Sequence, residues 1–182
     1  MKNSTVAIIG GADGPTSVFV AGRKKGIPLR HRIKNRIYRW KGKCAARKIT
    51  AGARSLEEVV AYAVEKYDAT EADIMQRKYA EQKNCLKESL ISRYRPELPG
   101  ELAEPEMPMD FHIYEIQIGK GRLEMEIDYC WDIFGVSYSG NKKSMKQMRE
   151  IAKDLYLYYG VSEEDIRQKS ERYHSLLATL SI

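Results

Sequence analysis

Apolar and polar residues follow two different periods along this chain, and the change of period divides it. Leu56, Val59, Val60, Ala63, Val64 and Tyr67 recur at three- and four-residue steps, as on a helix with one buried face. Ser55, with Glu58 three residues on, makes a capping box at its start. Leu29, Ile33, Ile37, Trp40 and Cys44 fall at steps of four, four, three and four. They predict a narrow apolar stripe on a helix that Pro28 opens and that runs to about Lys48, weakened in its last turn by Gly42. Thr70 with Asp73 predicts the start of a longer helix reaching Tyr94. Residues 95–108 then hold Pro96, Pro99, Pro105 and Pro108 together with Glu97, Glu101, Glu104 and Glu106, which reads as an extended acidic linker.

Beyond that linker the period becomes two. Phe111–Ile118 and Leu123–Trp131 predict two strands joined through Gly119-Lys120-Gly121-Arg122 as a hairpin. Leu123, Met125, Ile127, Tyr129 and Trp131 point one way. Glu124, Glu126 and Asp128, with Asp132 beyond, point the other way and read as a solvated face, with a divalent-cation site as the alternative. Two helices are expected to follow, Lys143–Tyr159 and Glu163–Leu180, the second capped by Ser162 with Asp165. Near the start, Thr5–Ile9 is β-branched and apolar and predicts a buried strand, after which Thr16 or Ser17 would cap a short helical turn. There is no internal repeat. The expected class is α+β, in segments 1–22, 23–48, 49–94, 95–108 and 109–182.

Charge sharpens this picture. The chain of 182 residues carries net +6, but residues 23–48 contain 12 Lys or Arg and no acid, while 49–182 carries net −6. A basic helix therefore adjoins an acidic body. Arg32, Lys34, Arg36, Arg39, Trp40 and Lys41 are its candidate polyanion-binding residues, with Tyr38 also interleaved. They suit nucleic-acid phosphates and bases, an anionic membrane surface that Ile33, Ile37 and Trp40 enter, or an acidic protein. Solvation of the charges, with the stripe packed on the body, is the plainer alternative. Cys44, Cys85 and Cys130 are too few and too scattered for a disulfide framework or zinc site. Together with the lack of a secretory pattern, they point to a cytoplasmic location, or a peripheral one at the inner face of the membrane.

One short run carries distinct chemistry. Ile8-Ile9-Gly10-Gly11-Ala12-Asp13-Gly14-Pro15-Thr16-Ser17 places a lone carboxylate among apolar and glycine residues, where it needs a partner, a proton or a cation. GGADGPT with apolar flanks resembles the motif of the beta subunits of sodium-translocating decarboxylases, over about residues 5–25. The resemblance implies a sodium site at Asp13, with Gly11, Gly14 and Thr16 beside it, and membrane decarboxylase subunits as partners. Thr5–Gly22 is the only candidate membrane segment, and it has no second span to shield it. The expectation is thus an accessory or derived component rather than a complete pump. Asp13 can equally cap the Gly-Pro turn. An anion loop over Gly10–Ser17 is a third reading, although no P-loop lysine is present.

His31, His112 and His174 are scattered, and no GxSxG occurs. No constellation for acid–base or nucleophilic catalysis can be assembled, so the chain is not expected to catalyse a reaction alone.

Overall fold

The computed structural model describes residues 5–8, 18–21, 29–94 and 107–181. It is an α+β protein: among the described residues there are six helices and a four-stranded antiparallel sheet, beside a separate two-stranded one. The chain divides into two units, Met1–Lys41 and Gly42–Ile182.

In the first unit β1 (Thr5–Ile8) pairs antiparallel with β2 (Val18–Ala21), in the register Thr5 opposite Ala21 and Ile8 opposite Val18. The first strand was expected. The helical turn after Ser17 was not realised, because Val18-Phe19-Val20 is β-branched and aromatic and pairs with β1 instead. Paired strands at both ends of Thr5–Gly22 also mean that this segment is not one membrane-spanning helix. The helix α1 (Leu29–Ala46) starts after Pro28 as the sequence predicts, and the division between the units falls within it.

The second unit is built on the sheet β3-β4-β5-β6: β3 (Thr70–Glu71), β4 (Phe111–Ile118), β5 (Gly121–Asp128) and β6 (Ile133–Ser139). β5 lies inside the sheet, paired along its whole length with β4 and nearly so with β6. Its alternate residues face opposite ways. Leu123, Met125 and Ile127 pack with Ile116 and Phe134 against α2 (Leu56–Tyr67) and α4 (Lys142–Tyr159), which contribute Leu56, Val59, Ala63, Met148, Ala152 and Leu155. The other face is covered by α3 (Arg77–Tyr94): its Tyr79 packs on Phe111 and Ile113, while Leu90 and Ile91 pack with Met107. The acidic row of β5 is therefore not a solvated face. Glu124 is 5% exposed and Asp128 fully buried, because α3 lies over them.

Three further expectations are corrected by local chemistry. Residues 70–76 are not helical: Thr70 and Glu71 pair with Glu115 and Tyr114, and Asp73 accepts the Met75 N–H to form a turn before α3. The last helix is two, α5 (Glu163–Gln168) and α6 (Glu171–Ser181). Lys169 between them adopts φ 53°, and the Ser170 hydroxyl accepts from the Tyr173 N–H to restart the chain as a helix. β6, not expected at all, follows a turn at 129–132. The capping boxes at Ser55/Glu58 and Ser162/Asp165 form as expected.

Two close approaches fix glycine positions. At Gly121 a side chain would press on Met148 and Ser144, so α4 sits directly on the start of β5. Gly160 ends α4 at φ 63°, and a methyl group there would lie 2.0 Å from the Gly52 carbonyl oxygen. The 51–54 segment docks at this point, through Gly52 N–H to Val161 O at 2.8 Å and Arg54 N–H to Tyr159 O at 3.0 Å. Arg172 of α6 locks the joint. Its guanidinium donates to the carbonyls of Arg54, Tyr159 and Gly160 at 2.7–2.9 Å and lies 3.4 Å over the Tyr159 ring. Gly160→Ala is expected to destabilise the protein by about 3 kcal/mol in denaturant unfolding. Gly52→Ala, which meets nothing within 4 Å, is expected to stay within about 0.5 kcal/mol of the parent.

Candidate polyanion interface

On α1 successive residues turn by about 100°. Leu29, Ile33, Ile37 and Trp40 consequently share one narrow sector, with Cys44 below them. Arg30, Lys34 and Lys41 border this sector on one side, and Arg32, Arg36, Arg39 and Lys43 border it on the other. All six predicted polyanion-binding residues, Arg32, Lys34, Arg36, Arg39, Trp40 and Lys41, are exposed. The apolar stripe is exposed with them: Leu29 70%, Ile33 50%, Ile37 49% and Trp40 64%. Among the described residues no carboxylate pairs with Arg32, Lys34, Arg36 or Arg39. The helix thus shows an apolar strip edged by cations on both sides.

The predicted cation site, Asp13 with Gly11, Gly14 and Thr16, lies outside the described residues. Among the described residues no group of three His, Cys, Asp or Glu side chains is placed to hold a metal ion. The acidic row of β5 is instead tied into a network beneath α3. Lys78 of α3 pairs with Glu124, Tyr79 donates to Glu115, and Arg122 bridges Glu115 at 3.0 Å and Glu124 at 2.8 Å. Burial, reinforced by the neighbouring Glu124 charge, pushes the Glu126 carboxyl above the usual carboxylate range. Burial raises Asp128 likewise. Its Oδ1 accepts from the Cys130 and Trp131 N–H groups at 3.0 and 3.1 Å, shaping the turn into β6, while its Oδ2 has no partner.

Two titrating clusters escaped the sequence reading. Asp154 of α4 receives Tyr62 at 2.7 Å, Tyr67 at 2.8 Å and Lys66 at 2.9 Å. Partial burial opposes its charge, but these bonds hold its carboxyl below the usual range. Burial and the bond to Asp154 push the Tyr67 hydroxyl up to about 12. Tyr62 stacks on Tyr158 at 3.8 Å, and Arg54 covers the far side of Tyr158 at 4.1 Å, which pins α2 to α4. In the second cluster His112 Nδ1 lies 2.6 Å from Glu71 and Nε2 lies 2.9 Å from Asp110. Asp110 and His112 stand two apart, on one side of an extended chain, and that spacing is the signal that could have marked them. Glu71 reaches them only because β3 pairs with β4.

Comparison with protein-family models, curated proteins and solved structures finds no match. Among the described residues no helix is long and apolar enough to cross a membrane.

The His112 cluster makes stability depend on pH. Partial burial works against protonation of the ring, but the two carboxylates outweigh it and raise the pKa above 6.5. A raised folded-state pKa stabilises the fold fully below the unfolded value, and that stabilisation is lost as pH rises through the folded one. The melting temperature of the parent is therefore expected to exceed that of His112→Gln most below pH about 6.5, and the gap to close on the alkaline side. Parallel Tm–pH profiles for the two proteins would remove this assignment.

Proposed function

We propose that the protein is a binding module whose α1 lies on an anionic lipid surface. The exposed strip of Leu29, Ile33, Ile37 and Trp40 between two rows of cations supports this reading above the other polyanions. A helix that reads nucleic-acid phosphates needs only its charges outward. Its apolar strip gains by packing on protein, and here both are exposed together. At a lipid surface both faces are used: aliphatic and indole groups enter the headgroup–acyl boundary, and flanking Lys and Arg stems extend to the phosphates.

The reading is tested by co-sedimentation with vesicles. Phosphatidylcholine alone is expected to retain little protein. Vesicles enriched in phosphatidylglycerol are expected to retain it and to shift Trp40 emission to the blue, with release as salt rises from about 0.1 M to about 0.5 M. Each cation contributes about 1 kcal/mol near such a surface, so neutralising Arg32, Lys34, Arg36 and Arg39 with Gln weakens partitioning about a hundredfold or more. Ile33→Ser with Ile37→Ser is expected to abolish the blue shift. Retention of the parent on single-stranded RNA but not on vesicles would instead assign α1 to nucleic acid.

A second reading rests on Gly10–Ser17 and its resemblance to sodium-translocating decarboxylase beta subunits. Under it the chain is an accessory or derived component of such a membrane complex, with Asp13 as the sodium ligand and oxygens of Gly11, Gly14 and Thr16 completing the shell that a hard cation prefers. Sodium is then expected to raise the melting temperature of the parent over an equal concentration of choline. Asp13→Asn is expected to lose that increment, and an unchanged increment would end the sodium assignment.

A further inference from the structure

Where α3, α4, α6 and the turn into β6 meet, the second unit holds a half-enclosed cavity of about 390 Å³. That volume lies within the roughly 300–1,000 Å³ of small-molecule sites. Its floor is aromatic: Phe134 packs against Tyr156 and Tyr159 with ring centroids 4.9 Å apart in each pair. One wall is the Tyr94–Trp131 stack, at 5.6 Å and 21°. The Trp131 indole is held there by its N–H bond to the Pro108 carbonyl at 2.9 Å. At the rim stands Asp132, kept at φ 47° and accepting the Tyr159 hydroxyl through Oδ1 at 3.3 Å.

We propose that this cavity binds an uncharged, amino-substituted planar heteroaromatic ring, the chemistry of a nucleobase in a nucleoside. A lining rich in aromatic rings suits a planar aromatic guest. An ionised carboxylate only accepts hydrogen bonds, so Asp132 selects a ring edge that carries an amino donor. The arginines nearby are already committed. Arg172 donates through Nε and Nη2 to the carbonyls of Gly160, Arg54 and Tyr159 while its Nη1 lies 3.7 Å from Asp132 Oδ2, and Arg93 pairs with Glu171 at 2.5 Å. Each guanidinium at the rim already faces a carboxylate, Arg172 with Asp132 and Arg93 with Glu171, so neither is left to compensate a phosphate. The site favours a nucleoside over its nucleotide.

The chain contains two tryptophans, so Trp40→Phe leaves Trp131 as the sole indole reporter in the full-length protein. Titration with adenosine is expected to change Trp131 emission saturably, and adenosine monophosphate to bind at least about tenfold more weakly. Asp132→Asn suits the same backbone, since Asn tolerates positive φ, and is expected to leave the melting temperature in place while weakening adenosine about fivefold or more. No saturable response to adenosine, equal affinity for the monophosphate, or an unchanged affinity in Asp132→Asn would each overturn the proposal.

Discussion

The second unit depends on β5 having both faces buried. A strand inside an antiparallel sheet can leave one face to water, and its alternating sequence then needs no explanation. Here α2 and α4 cover the side of Leu123, Met125 and Ile127, while α3 covers the side of Glu124, Glu126 and Asp128. Burying carboxylates is costly unless they are paired or hydrogen-bonded. Lys78 and Arg122 compensate Glu124. Among the described residues neither Glu126 nor Asp128 forms an ion pair, and burial raises the pKa of both. The position of α3 is thus fixed twice, by apolar packing at Tyr79, Leu90 and Ile91 and by an ionic contact that tolerates little displacement.

That double use of β5 also explains what the sequence could and could not convey. The hairpin, the capping boxes, α2 and α4 rest on local patterns within a few residues of each other, and they were legible. The burial of Glu124 and Asp128 was not. Period-two alternation looks the same whether the polar face meets water or a helix whose cations arrive from some forty residues away. Ser137 and Ser139 in β6, with Gly135 inside it, weakened its apolar signal, although the strand completes the sheet. The reading of 70–94 as one helix failed because Thr70 and Glu71 obtain in β4 a pairing that no local propensity reveals. For the candidate interface the outcome was the reverse. The stripe and charges of α1 were legible because helical periodicity alone specifies them. The His112 and Asp154 clusters needed side chains brought together from distant segments.

The charge asymmetry acquires a physical meaning once the acids of the second unit are followed to their partners. Glu115 and Glu124 belong to Arg122 and Lys78, Glu71 and Asp110 to His112, Asp154 to Lys66 and two tyrosines, and Glu171 to Arg93. Asp165 is engaged by Ser162 and Ser170. These carboxylates already serve the fold of Gly42–Ile182. Residues 23–48 contain no acid of their own. The same segment keeps Leu29, Ile33, Ile37 and Trp40 exposed, which a helix designed only for solubility would not retain. Arg32, Lys34, Arg36 and Arg39, which pair with no carboxylate among the described residues, edge an exposed apolar strip, and one partner could meet both features. An anionic lipid surface supplies negative charge and an apolar layer in one plane, whereas nucleic acid supplies the charge and leaves the aliphatic strip in water.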